Sequence, residues 1–87
     1  MTATVWRPAL PPGGLLRTDA ARGQEVLLLP ERVVVLHGSA RRVLELCDGQ
    51  HTVDDITTQL TQQHPGSARA EDIAHFLTRL HAQGCLQ

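Results

Sequence analysis

The most constraining feature of the sequence is a pair of apolar runs that are separated by only two residues. Residues 26–29 and 33–36 form the runs, and Pro30-Glu31 lies between them. Branched apolar side chains favour strands and proline favours a turn, so the pattern predicts a β-hairpin of residues 25–29 and 32–37. Neither run alternates with polar residues, as a strand with one solvated face would. We therefore expect both faces to be covered, and the sequence leaves three covers open: the N-terminal arm, a second copy of the chain or a partner.

Downstream of the hairpin, the apolar residues recur at helical spacing. A first helix is predicted with Ser39 as its N-cap and with an end at Asp48-Gly49. A second begins at Thr52, which forms a capping-box pattern with Asp55, and it ends before a Pro-Gly pair. A third runs from about residue 70 to residue 83, with two acidic residues in its first turn that complement the helix dipole.

A further short strand is predicted at residues 15–19, so three strands precede three helices. This order predicts an α+β fold that is winged-helix-like, with a small three-stranded antiparallel sheet followed by three helices. Residues 1–14 are rich in proline and glycine and are interpreted as an N-terminal arm, which leaves residues 15–87 as a single domain. A chain of 87 residues buries one small core, which excludes dinucleotide folds and barrels.

The composition indicates the cellular compartment of the protein and limits the side chains that could act in catalysis. The sequence contains no lysine and no tyrosine, and Cys47 and Cys85 are too few for a disulfide framework. No apolar run approaches the roughly 20 residues that span a bilayer, and no signal-peptide pattern opens the chain. We therefore predict a cytoplasmic protein without a membrane segment.

Three ordered motifs resemble the PqqD family, coenzyme PQQ synthesis protein D. They are LLLPE at residues 27–31, VLHGSA at residues 35–40, and LCDG at residues 46–49 followed by Thr52-Val53. The resemblance covers roughly residues 15–87, and the apolar residues of the last helix with Gly84-Cys85-Leu86 fit the closing helix of the family. His37 is a departure, because family members more often carry asparagine there.

The resemblance implies a non-enzymatic peptide chaperone in pyrroloquinoline quinone biosynthesis that needs no cofactor. Such proteins bind the PqqA precursor peptide and present it to the radical SAM enzyme PqqE. In related recognition elements the peptide adds as an antiparallel strand beside the third strand, in a groove against the third helix. Mapped onto this sequence, the peptide-binding residues are Arg32, Val33, Val34, Val35, Leu36 and His37 in the strand and Phe76, Leu77, Arg79 and Leu80 in the helix.

Three polar residues are predicted to contact the partner enzyme. Arg41 and Arg42 are cations in the first turns of a helix, where the dipole disfavours positive charge, so a partner contact would explain them. Asp48 is interpreted first as the end of that helix and second as an acidic contact for the enzyme.

Several alternatives compete with this hypothesis. A recognition element of another ribosomal peptide pathway stays open, as does a homodimer formed through the arm or the edge strand. DNA binding is disfavoured because the second and third helices are net negative, whereas phosphate binding needs cations. No histidine or cysteine pair has the spacing of a zinc site, so no metal site is predicted. The peptide binding that the resemblance implies needs no nucleophile, so no catalytic residue is predicted either. The family is also associated with quinone binding, which a chain with only two aromatic residues, Trp6 and Phe76, does not support.

Overall fold

The predicted α+β architecture is confirmed by the computed structural model, which describes residues 5–66 and 69–87. One antiparallel sheet has the strand order β1-β2-β3, so β1 and β3 are its two edges. The strands are β1 (Leu15–Asp19), β2 (Gln24–Leu29) and β3 (Arg32–Leu36). The helices that follow are α1 (Ala40–Glu45), α2 (Val53–Gln63) and α3 (Ala70–Ala82). No helix in the described part of the chain is long and apolar enough to cross a membrane.

The core lies between the inner face of the sheet and the three helices. On the sheet side, Leu16, Leu27 and Val34 are register partners and share this face. Leu27 is fully buried against a helical layer that includes Ile56 and Leu77. The apolar stripe of each helix therefore packs on one face of a small sheet, as strands followed by helices predict.

The outer face of the sheet carries exposed apolar side chains on its edge strands, contrary to the expectation that both faces are covered. Leu28 pairs with Leu15 on one side and with Val33 on the other, so these three side chains form a row on this face. Leu15 is 51% exposed, Val33 59% and Val35 40%. Val26, which pairs with Val35 on the same face, is buried, so the exposed apolar side chains lie on the two edge strands.

The arm lies elsewhere, against the C-terminal segment. Ala9 and Gln87 exchange two backbone hydrogen bonds of 3.4 and 2.9 Å, and Leu10 N–H donates to the Cys47 carbonyl at 3.3 Å. Trp6 Nε1 donates to the Gln87 carbonyl at 2.7 Å, and its ring lies 4.6 Å from that of His81. Residues 1–4 of the predicted arm lie outside the described residues.

The ends of α2 follow the sequence signals, whereas both ends of α1 depart from them. The Thr52–Asp55 capping box of α2 is present in both directions, at 3.0 and 3.1 Å. Ser39 was predicted to cap α1, but its side chain makes no cap hydrogen bond because its backbone, at φ −86° and ψ 5°, is not extended. Helix α1 also ends at Glu45, earlier than predicted, and Gly49 takes a positive φ of 80° in the turn that follows.

Candidate peptide-binding groove

A groove of about 420 Å³ runs between β3 and α3. It is open to solvent along the edge of β3 and continues over the beginning of α1. Its lining residues are Val34, Val35, Leu36, His37, Ser39, Ala40 and Val43 on one side and Asp72, Ile73, Phe76, Arg79, Leu80 and Gln83 on the other.

The backbone of β3 presents unpaired groups to this groove. Leu29 and Arg32 close the two-residue turn of the hairpin, and a bridge across such a short turn is a hydrogen-bonded pair. Antiparallel pairs alternate, so Val34 also bonds to β2, whereas the N–H and C=O groups of Val33 and Val35 point to the open edge. An extended segment can therefore pair with β3 through these two residues.

The floor of the groove is apolar and belongs partly to the core. Leu80 and Ile73 are buried core residues that also line the groove, whereas Phe76 is half-buried and packs against the core from its rim. The Arg79 guanidinium lies 5.9 Å from the centre of the Phe76 ring, a cation–π distance. A side chain entering here meets apolar surface with one cation beside it.

The two ends of the groove differ. At one end, the Arg32 guanidinium donates to the Gln83 carbonyl and so ties the beginning of β3 to the end of α3. The opposite end is bordered by His37, Ser39 and Asp72. The Arg32 contact also satisfies a carbonyl at the C-terminus of α3, where the helix dipole favours a cation.

Neither cysteine lines the groove. Both cysteines are buried, and burial raises the pKa of the Cys47 thiol to about 12, followed by a smaller effect of the Asp48 charge. Its sulfur also lies 3.4 Å from the Val43 carbonyl, and a thiol at neutral pH is a poor nucleophile. In residues 5–66 and 69–87, no three metal-ligating side chains come together.

A family model of "Coenzyme PQQ synthesis protein D (PqqD)" matches residues 24–86 of the chain. The chain belongs to the PqqD family. Among its relatives, the PqqA binding protein of Rhodopseudomonas palustris (strain BisB5) is 40% identical over 83 residues, which are 92% of this chain and 80% of that protein.

Two further matches show the same domain in different settings. The solution NMR structure of the PqqD truncation of Methylobacterium extorquens PqqCD, described as a functional and stand-alone RiPP recognition element, has a TM-score of 0.69. It is 37% identical, and the match covers 92% of this chain and 87% of that one. The bifunctional coenzyme PQQ synthesis protein C/D of Methylorubrum extorquens is 46% identical over 57 residues, which are 66% of this chain but 15% of that protein.

Most of the peptide-site residues expected of a PqqD domain border the groove, but three have other positions. Leu77 is fully buried in the core and does not reach the groove, which corrects its assignment. The Val33 side chain lies on the outer face, so only its backbone faces the edge. Arg32 is engaged with the Gln83 carbonyl at the end of the groove.

The lining residues that the sequence did not predict lie in α1 and α3 or directly beside the ends of these helices. Ser39, Ala40 and Val43 line the groove because α1 follows β3 after a three-residue connection. Asp72 and Gln83 share a helical face with Phe76, at spacings of four and seven residues. That spacing is legible in the sequence and is the signal that would have identified them.

Arg41, predicted as a partner contact, has a structural role within the domain. Its guanidinium pairs with the Glu25 carboxylate and lies 3.4 Å from the Thr18 hydroxyl, so it joins α1 to β1 and β2. The Thr18 hydroxyl, which donates to Glu25 at 2.9 Å, and then Arg41 hold the pKa of that carboxyl below its usual value. This pair explains a cation early in α1 without a partner.

The two other predicted contacts, Arg42 and Asp48, are exposed and lie outside the groove. Asp48 accepts from the Gln50 N–H at 2.9 Å and lies 2.9 Å from His51 Nδ1. The Gln50 N–H, followed by His51, holds the pKa of Asp48 below its usual value. Its carboxylate therefore shapes the turn between α1 and α2.

Proposed function

We propose that the chain binds the PqqA precursor peptide as a fourth strand on β3 and presents it to the radical SAM enzyme PqqE, without catalysing a reaction itself. Relatives named PqqA binding protein and a neighbour described as a RiPP recognition element support the peptide as ligand. The observation that carries the docking mode is the pair of outward-facing backbone positions, Val33 and Val35, beside an apolar groove.

In strand addition, backbone hydrogen bonds and side-chain contacts have different roles in peptide recognition. Main-chain hydrogen bonds to Val33 and Val35 supply affinity with little demand on peptide sequence. Because side chains alternate along a strand, every second peptide residue faces α3 and enters the groove, where Phe76 and Leu80 offer apolar surface. The remaining residues lie beside Val33 and Val35 on the outer face.

The substitution Val35→Pro tests the docking mode. Proline removes the outward N–H and places a ring where the peptide strand approaches, but it is tolerated on edge strands whose N–H faces solvent. We expect the variant to keep the circular dichroism spectrum of the parent and to bind fluorescein-labelled PqqA peptide about tenfold more weakly or worse, as judged by anisotropy.

Val35→Thr is the matched control, because it keeps the N–H and a β-branched shape on an exposed position. Its affinity should stay within twofold of the parent. If folded Val35→Pro binds as tightly as Val35→Thr, the peptide does not pair with the edge of β3 and the proposed docking mode is wrong.

Presentation to the enzyme has its own readout. In a reaction that contains PqqE and subsaturating peptide, we expect the parent and Val35→Thr to accelerate peptide modification, as followed by mass spectrometry. Val35→Pro should lose that acceleration in proportion to its lost affinity. If both variants accelerate the modification equally, presentation to PqqE does not depend on pairing of the peptide with the edge of β3, and that part of the proposal is wrong.

A further inference from the structure

The groove has opposite charges at separate positions along α3. Asp72 lies in the first turn of the helix and Arg79 lies two turns further on, and both side chains border the groove and are exposed. Neither side chain forms an ion pair with any residue of 5–66 or 69–87. Apart from His37 at the rim, they are the ionisable side chains of the lining.

The Arg32–Gln83 contact fixes which end of β3 each charge faces. Because the beginning of β3 is tied to the end of α3, the two elements run in opposite directions along the groove. Asp72 therefore lies towards the end of β3, and Arg79 lies closer to its beginning. A strand that adds antiparallel to β3 passes Asp72 with its N-terminal residues and reaches Arg79 with its C-terminal residues.

The spacing of the two charges translates into a spacing along the peptide. Seven helical residues correspond to a rise of about 10 Å. An extended strand covers that distance in about three residues. Since only every second side chain faces α3, the matching peptide positions are two or four residues apart.

We propose that the groove reads the order of charges in its peptide: it selects a segment in which a basic residue precedes an acidic residue by two or four positions. The basic side chain pairs with Asp72, and the acidic side chain pairs with Arg79 beside the Phe76 ring. The reverse order places like charges at both positions. This inference rests on the strand addition proposed above and adds the rule by which side chains set direction and register.

Double-mutant cycles with the PqqA peptide test the rule. Each acidic and each basic peptide residue is replaced in turn by glutamine, and each peptide is titrated into the parent, Arg79→Gln and Asp72→Asn. One acidic position should cost about threefold to fivefold in affinity with the parent and nothing with Arg79→Gln, as expected for exposed ion pairs. One basic position, two or four residues earlier, should show the same coupling to Asp72→Asn.

Two controls separate these pairs from general electrostatics. Arg22→Gln and Asp54→Asn remove exposed charges outside the groove and should leave every peptide affinity within twofold. Raising the salt to 0.5 M should shrink both couplings, because the charges are exposed and the Debye length becomes shorter.

The outcomes distinguish this rule from the function on which it rests. If the peptide binds and shifts the amide signals of Val33 and Val35 but shows no coupling, or shows coupling in the reverse order, the charge rule is wrong and strand addition stands. If the PqqA peptide does not bind saturably, both are wrong.

Discussion

Neighbouring residues of β3 have opposite roles. Val34 and Leu36 turn their side chains to the core and their backbone groups to β2, whereas Val33 and Val35 present their side chains to solvent and their backbone groups to the groove edge. A run of apolar residues without alternation predicts a strand but not its phase. The phase follows from the Leu29–Arg32 closing pair, which becomes visible only with the register.

The capping box of α2 is a residue-level feature that the sequence did predict, because its partners are three residues apart and the interaction is local. The backbone N–H of Thr52, and then its hydroxyl, hold the pKa of Asp55 below its ordinary value. A carboxylate with a lowered pKa stabilises the fold above its unfolded-state pKa. That contribution is lost as the pH falls through the folded-state value.

Asp55→Asn should therefore flatten the acid dependence of stability. Asparagine keeps an oxygen that accepts from Thr52 N–H but does not titrate. Between pH 6 and pH 2.5 the thermal midpoint of the parent, followed by circular dichroism, should fall more than that of the variant. Parallel declines in the two proteins would contradict a stabilising role of the Asp55 carboxylate.

At the scale of elements, α3 serves the core and the groove with adjacent stripes. Ile73, Leu77 and Leu80 are buried in the core, and Asp72 and Arg79 border the groove beside them. The helical period predicted the first stripe. The period alone did not show that Leu77 faces the core and not the groove. Neighbouring residues of a helix face different directions, and which of them reach the groove depends on how α3 lies against β3.

The position of the N-terminal arm, residues 1–14, could not be predicted from the sequence. Prolines and glycines predict the absence of a helix or strand but not the surface on which an irregular segment rests. In the structure, Pro8 is fully buried, and Trp6 and Ala9 hold Gln87. The described part of the arm thus binds Gln87 and does not contribute to the groove lining.

Deletion of residues 1–14 should separate stability from binding. Loss of the buried Pro8 and half-buried Leu10 and Trp6 side chains should cost about 2 kcal/mol of folding free energy. For a domain of this size, that loss should lower the thermal midpoint by about 10 °C. The affinity for PqqA peptide, measured below the new midpoint, should stay within twofold. An unchanged midpoint, or lost affinity in a folded variant, would contradict this division of roles.

At the scale of the whole molecule, the order of elements and the single core followed from apolar periodicity, since each stripe needs one partner surface. The outer face did not. Leu15, Val33 and Val35 predicted a second cover, but these side chains are exposed in the described structure. Val33 and Val35 lie on the edge strand where the peptide is proposed to add, whereas Leu15 lies on β1 at the opposite edge. Periodicity shows which surfaces are apolar and does not show whether the same chain buries them.

Amide hydrogen exchange of β3 tests the central claim most directly. In the free domain the Val34 amide should exchange slowly because it bonds to β2, and the Val33 and Val35 amides should exchange fast. Saturation with PqqA peptide should slow Val33 and Val35 at least tenfold, which is the signature of a new strand on this edge. Unchanged exchange at Val33 and Val35 under saturating peptide would contradict strand addition.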